Sequence, residues 1–149
     1  MQLADYLDQD LILPELQSES KQNALEELLS PLQKKEPQLD QAKALEILLE
    51  RERLGSTGIG NGVAIPHGKV EELEDITLVV GRSLKGVDFE SLDQEPCTIF
   101  FLVLAPENVA GTHLRLLAQI SRLLKDPEFR SSFMNAEGTG GLWELLQNS

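Results

Sequence analysis

With 149 residues, 41% of them hydrophobic, the chain has the size and composition of one globular domain with a single core. A formal charge of -12 works against DNA, RNA and anionic lipid as partners, because such ligands are met by an excess of Lys and Arg. The longest apolar run, Thr98 to Pro106, is too short to insert in a membrane, and a single cysteine excludes an internal disulfide.

The first ten residues lack Lys and Arg, unlike the basic start of an export signal, so a cytoplasmic protein is expected. From Ser18 to Lys35, the residues Ala24, Leu25, Leu28, Leu29 and Leu32 write one apolar stripe and predict a helix that Pro31 bends or shortens. Asp40 is placed to cap a second helix through Ala44, Leu45, Leu48 and Leu49 to about Leu54, where Gly55 stops it. Gly55 to Gly62 holds four glycines and predicts a loop that can approach another group closely. Val63 to Pro66 then reads as a short buried strand that delivers His67 to the loop edge.

Ile76 to Arg82 and Cys97 to Ala105, rich in Val, Ile, Leu and Phe, predict the core strands of the sheet. Cys97 is expected to be a small buried hydrophobe and not a nucleophile. Lys85-Gly86 suggests a turn, with Val87 to Phe89 as a short pairing strand. Helical spacing returns from Thr112 to Lys125. Asp126-Pro127-Glu128 combines a cap, a first-turn proline and an acid at the positive end of a helix reaching about Asn135. Gly138 to Gly141 is expected to break that run before a last helix carrying Leu142, Trp143, Leu145 and Leu146. Helices before, between and after strands give a layered α/β domain spanning residues 1-149.

Chemistry is concentrated in Arg51-Glu-Arg-Leu-Gly-Ser-Thr-Gly-Ile-Gly-Asn-Gly-Val-Ala-Ile-Pro-His67-Gly-Lys69. A neutral imidazole is a nucleophile near pH 7 without help, since its ordinary pKa is about 6.5. The charge of a phosphoryl group is commonly held by Arg, hydroxyls and backbone amides. Arg51, Ser56, Thr57, Gly58, Gly60, Asn61 and Gly62 supply those group types beside His67. The glycine spacing fits neither G-x-x-x-x-G-K-[ST] nor G-x-G-x-x-G, and it precedes a strand, so a nucleotide site loses support. His67 and His113 are the only histidines and lack metal-ligand spacing, so neither a metal nor a cofactor is expected. A hydrolase would want an acid or base beside His67, and the segment offers only Glu52. Taken alone, His113 at the start of a helix is an ordinary core or surface histidine.

The Arg51 to Lys69 segment resembles the active-site segment of bacterial phosphotransferase system enzyme IIA of the fructose and mannitol type. Its Gly-Ser-Thr-Gly-Ile-Gly-Asn-Gly form resembles the nitrogen-regulatory branch, and Asn61 departs from the acid common in mannitol carriers. The resemblance implies a single type-2 IIA domain: a layered sandwich whose mixed sheet of about five strands has helices on both faces. It further implies that His67 is phosphorylated, that His113 is a second site histidine, and that Arg51 stabilises the phosphate in preference to Arg53. The expected function is a histidine phosphocarrier that takes phosphate from an HPr-like carrier protein and binds a regulatory target protein according to its own phosphorylation. A sugar-uptake subunit passing phosphate to a IIB domain is the alternative. A noncatalytic module holding an anion or a protein is the reading from a different class.

Overall fold

Cys97–Ala105 is apolar on both faces, as a central strand must be, and every residue of it except Thr98 is buried. In the computed structural model, which describes residues 2–149, the sheet is assembled around this strand. Met1, the first residue of the expected domain, lies outside the described residues. The strands are β1 (Ile12–Leu13), β2 (Gly58–Gly60), β3 (Val63–Ala64), β4 (His67–Lys69), β5 (Thr77–Val87) and β6 (Cys97–Ala105). The helices are α1 (Lys21–Leu29), α2 (Leu32–Lys35), α3 (Gln41–Arg53), α4 (Ala110–Lys125), α5 (Pro127–Asn135) and α6 (Gly138–Gln147).

The strand order is β1-β5-β6-β3-β2, and β4 pairs with β6 beyond the end of β3. β5 is antiparallel to β6 and β2 to β3, whereas β1 runs parallel to β5, and β3 and β4 run parallel to β6. The sheet is therefore mixed, with helices on both faces. Its six strands include the two-residue β1, which is too short to show alternation in sequence. One face packs against Leu25, Leu28, Leu32, Ala44 and Leu48 from α1 to α3. The other packs against Leu116, Ile120, Leu124, Phe133, Leu142 and Leu146 from α4 to α6.

Several boundaries differ from the sequence reading, each for a physical reason. The expected helix from Ser18 to Lys35 is two: Ser20 caps α1, and Pro31, which has no N–H to donate, separates it from α2. Lys85-Gly86 is not a turn, because β5 continues through an irregularity between Arg82 and Val87 so that Val87 still pairs with Cys97. The glycines from Gly138 do not break a helix; they lie within the first turn of α6, and burial of Leu142 and Leu146 outweighs their poor propensity. Asp40 and Asp126 cap α3 and α5 with side-chain bonds to the Lys43 and Glu128 amides.

Arg82 is the principal buried cation, only 4% exposed. Its Nε donates to the Pro14 carbonyl at 3.0 Å, and one terminal nitrogen donates to the Phe133 and Ala136 carbonyls at 2.9 and 2.7 Å. It thereby ties β5 to the end of α5. Arg82→Met leaves those carbonyls short of donors, so a loss of about 3 kcal/mol and a fall in Tm of roughly 6–12 °C are expected in thermal and denaturant melts.

Candidate functional site

Ile65 and Pro66 carry the chain from β3 into β4, so His67 opens a strand at the sheet edge instead of ending a loop. The register is fixed by β6: His67 lies opposite Val103, Gly68 opposite Leu104 and Lys69 opposite Ala105. β4 passes so close to α3 that a Cβ on Gly68 would sit 2.7 Å from Ile47 Cγ2. Any side chain at this position would force Ile47 to shift, so glycine suits the spacing. Ile47 and Arg51 lie one helical turn apart, so the same close approach brings Arg51 toward β4. On the other face of the edge strand, the first turn of α4 presents His113.

These elements enclose an open cavity of about 520 Å³. Arg51, His67, Lys69 and His113 all line it, with Glu50, Ile47, Leu54, Gly68, Ala110, Leu114 and Leu117 completing the wall. The His67 and His113 rings meet edge to face, with centroids 6.0 Å apart and an interplanar angle of 80°. Nδ1 of the half-buried His67 lies 2.8 Å from the Ile65 carbonyl oxygen. A carbonyl only accepts, so Nδ1 carries the proton and Nε2 keeps its lone pair. The partner that fixes this tautomer is therefore a backbone carbonyl and not the neighbouring His113.

His113 is 5% exposed, and its Nε2 has no hydrogen-bond partner among the described residues. Burial, with smaller contributions from the charges of His67 and Lys69, holds this imidazole below the usual histidine range. Below about pH 6.5 the unfolded chain takes up that proton more readily than the native one. Stability is therefore fully present above that pH and falls as the pH drops toward the lower native value. Denaturant titrations across this range are expected to show a flatter pH dependence for His113→Gln than for the parent.

The six remaining residues expected around the anion, Ser56, Thr57, Gly58, Gly60, Asn61 and Gly62, do not line this cavity. Asn61 and Gly62, with φ of 58° and 77°, form the two-residue connection of the β2–β3 hairpin, a turn that requires positive φ. Gly58 and Gly60 belong to its first strand. Ser56 Oγ accepts from the Gly58 amide at 3.0 Å. Thr57 is buried, and both its amide and its hydroxyl donate to the Glu52 carboxylate. These residues build the support for the site and not its wall.

That support reaches His67. Glu52, itself paired with Lys21 at 3.3 Å, holds Thr57; the Thr57 carbonyl accepts from the Ile65 amide at 3.1 Å; and the Ile65 carbonyl orients the imidazole. Glu52 is thus occupied away from the cavity and does not act as a base beside His67. Sequence reasoning did not single out Ile65 as the source of the carbonyl, and it missed the parts played by Gly68, Glu50 and the exposed leucines Leu54 and Leu114. The available signals were the i, i+4 pairing of Ile47 with Arg51 and the alternation that puts His67 and Lys69 on one side of a strand. Cys97 is buried, and desolvation raises its thiol pKa. No cluster of His, Cys, Asp and Glu suited to a metal occurs among the described residues, nor does any helix long and apolar enough to cross a membrane.

Comparison with known proteins adds four findings. Residues 5–149 match the family described as phosphoenolpyruvate-dependent sugar phosphotransferase system, EIIA 2. A nitrogen regulatory protein of Bradyrhizobium diazoefficiens is 39% identical over 146 residues, covering 98% of this chain and 95% of that one. The fructose-specific EIIABC component of Bacillus subtilis is 34% identical over 146 residues, 98% of this chain but 23% of that longer protein. Among solved structures, nitrogen regulatory protein IIA-Ntr from Neisseria meningitidis superposes with a TM-score of 0.89 at 31% identity, covering 97% of this chain and 98% of that one.

Proposed function

The chain belongs to the EIIA 2 family of the phosphoenolpyruvate-dependent sugar phosphotransferase system, and from that premise we propose that His67 is the residue through which it carries phosphate. It is a phosphotransferase component with a phosphocarrier role of the nitrogen-regulatory kind. Proteins of this kind work with protein partners. An HPr-like phosphohistidine carrier is the donor we assign to it, acting in the cytoplasm, and a target protein responds to the phosphorylated or the free form.

The observation that carries the assignment is the bond from His67 Nδ1–H to the Ile65 carbonyl, which leaves Nε2 as the nucleophile in a cavity that also holds Arg51 and His113. In the transfer step Nε2 forms a bond to phosphorus as the bond from phosphorus to the carrier imidazole breaks. The Nδ1 proton stays on His67, stabilised by the carbonyl as the ring becomes cationic. Arg51 holds the negative oxygens of the group in flight, and His113, neutral at pH 7, donates or accepts a hydrogen bond without adding charge. A new charge of about -1.5 to -2 beside exposed Leu54 and Leu114 changes what that surface can dock.

Incubation with a phosphorylated HPr-type carrier, followed by intact mass measurement, tests this reading. Gain of one acid-labile, base-stable phosphoryl group is expected; a chain that gains none is a noncatalytic binding module. The likeness to the Bacillus subtilis fructose component favours a second use of the same chemistry, delivery to a IIB domain. Transfer from labelled protein to an isolated IIB domain distinguishes uptake from regulation.

A further inference from the structure

Lys69 shares the cavity wall with His67, Arg51 and His113. Residues two apart on a strand point to the same side, and their Cα atoms lie roughly 7 Å apart. An extended lysine spans that distance. The Lys69 backbone is held in the parallel ladder to β6, and the Val70 amide donates to the Ala105 carbonyl at 2.9 Å. The base of the side chain is therefore fixed while its end is exposed. Among the described residues the Lys69 ammonium has no ion pair or hydrogen bond, whereas Glu50, the only acid of the cavity wall, is paired with Arg53.

A group with a charge of about -1.5 to -2 arrives at His67 Nε2. Arg51 offers one positive charge, and His113 is held neutral by its burial, partly through the nearby Lys69 ammonium itself. Lys69 is then the one remaining cation of the wall able to meet the group.

Resting on the phosphocarrier reading, we propose that Lys69 is a second phosphoryl-contacting residue, whose ammonium pairs with the oxygens of the group on His67 during and after transfer. Arg51 comes from α3 and Lys69 from β4 itself, so the group meets one cation from the helix and one from the strand that carries His67. A lysine suits this position because its flexible stem lets the ammonium follow a group that moves between two proteins.

The test compares the parent with Lys69→Met and Lys69→Arg, using two phosphoryl donors: a phosphorylated HPr-type carrier and the small molecule phosphoramidate, which has no docking surface. Lys69→Met is expected to lower the maximal rate with both donors by roughly tenfold, less than a buried anion-hole donor because the ammonium is solvated. Lys69→Arg is expected to restore most of that rate. A raised KM for the carrier with an unchanged phosphoramidate rate would show that Lys69 only docks the partner and would overturn the proposal, as would unchanged rates with both donors. A parent protein labelled by neither donor removes the His67 reading and this inference together. Equal thermal melts of the three proteins are expected, since the side chain is exposed.

Discussion

His67→Ala is expected to abolish covalent phosphate completely, with either donor and at any donor concentration. The sheet edge tolerates the change, since His67 contributes its ladder bonds through the backbone and its ring is only half-buried. A folded but unlabelled variant is thus the expected product. The position of attachment is an equally strong expectation, because the proton on Nδ1 is fixed by a group that cannot donate one. Nitrogen-15 and phosphorus spectra of the labelled protein should place phosphorus on Nε2. Phosphorus found on Nδ1 would falsify the tautomer assigned from the 2.8 Å contact with the Ile65 carbonyl.

The second large effect concerns Arg51. One of its terminal nitrogens donates to the Gly55 carbonyl at 2.9 Å, which fixes the guanidinium in the last turn of α3 without neutralising it. Its other N–H groups remain available in a fork suited to two oxygens of one phosphoryl group. Because this arrangement exists before the donor arrives, little reorganisation is needed at the moment of transfer. Arg51→Met is expected to slow transfer by about 10²–10³ in rapid-quench assays, the range seen when one preorganised donor is removed from an anion site. Arg51→Lys should recover only part of this, since an ammonium cannot present two parallel bonds. A variant as fast as the parent would remove Arg51 from the chemistry.

Much of the fold can be read from spacing. The stripe of Ala24, Leu25, Leu28 and Leu29, the caps at Asp40 and Asp126, and the doubly apolar run of β6 all specify their elements by local rules. What spacing misses is pairing. Gly58 and Gly60 form a strand because Val63 and Ala64 turn back onto them, and Val87 stays in β5 because Cys97 lies opposite. No periodicity within either segment records those encounters. The cavity shows the same division. The chemistry of the Arg51 to Lys69 segment points to Arg51 and His67, resemblance to a family adds His113, and the arrival of all three at one wall depends on a sheet edge that no single segment describes. The glycine run was the most conspicuous feature of the sequence, and its conformations serve a hairpin that braces the site from behind.

One consequence follows from the site's position on an edge strand shared by α3 and α4. Its parts come from three distant stretches of chain, joined only once β4 has docked in parallel on β6 and the C-terminal helices have closed over the far face. Such long-range parallel pairing is among the slower steps of folding. A newly made or partly opened chain therefore has no seat for the anion. Only finished molecules can be charged, so the level of the signal reports the supply of intact carrier as well as the supply of donor.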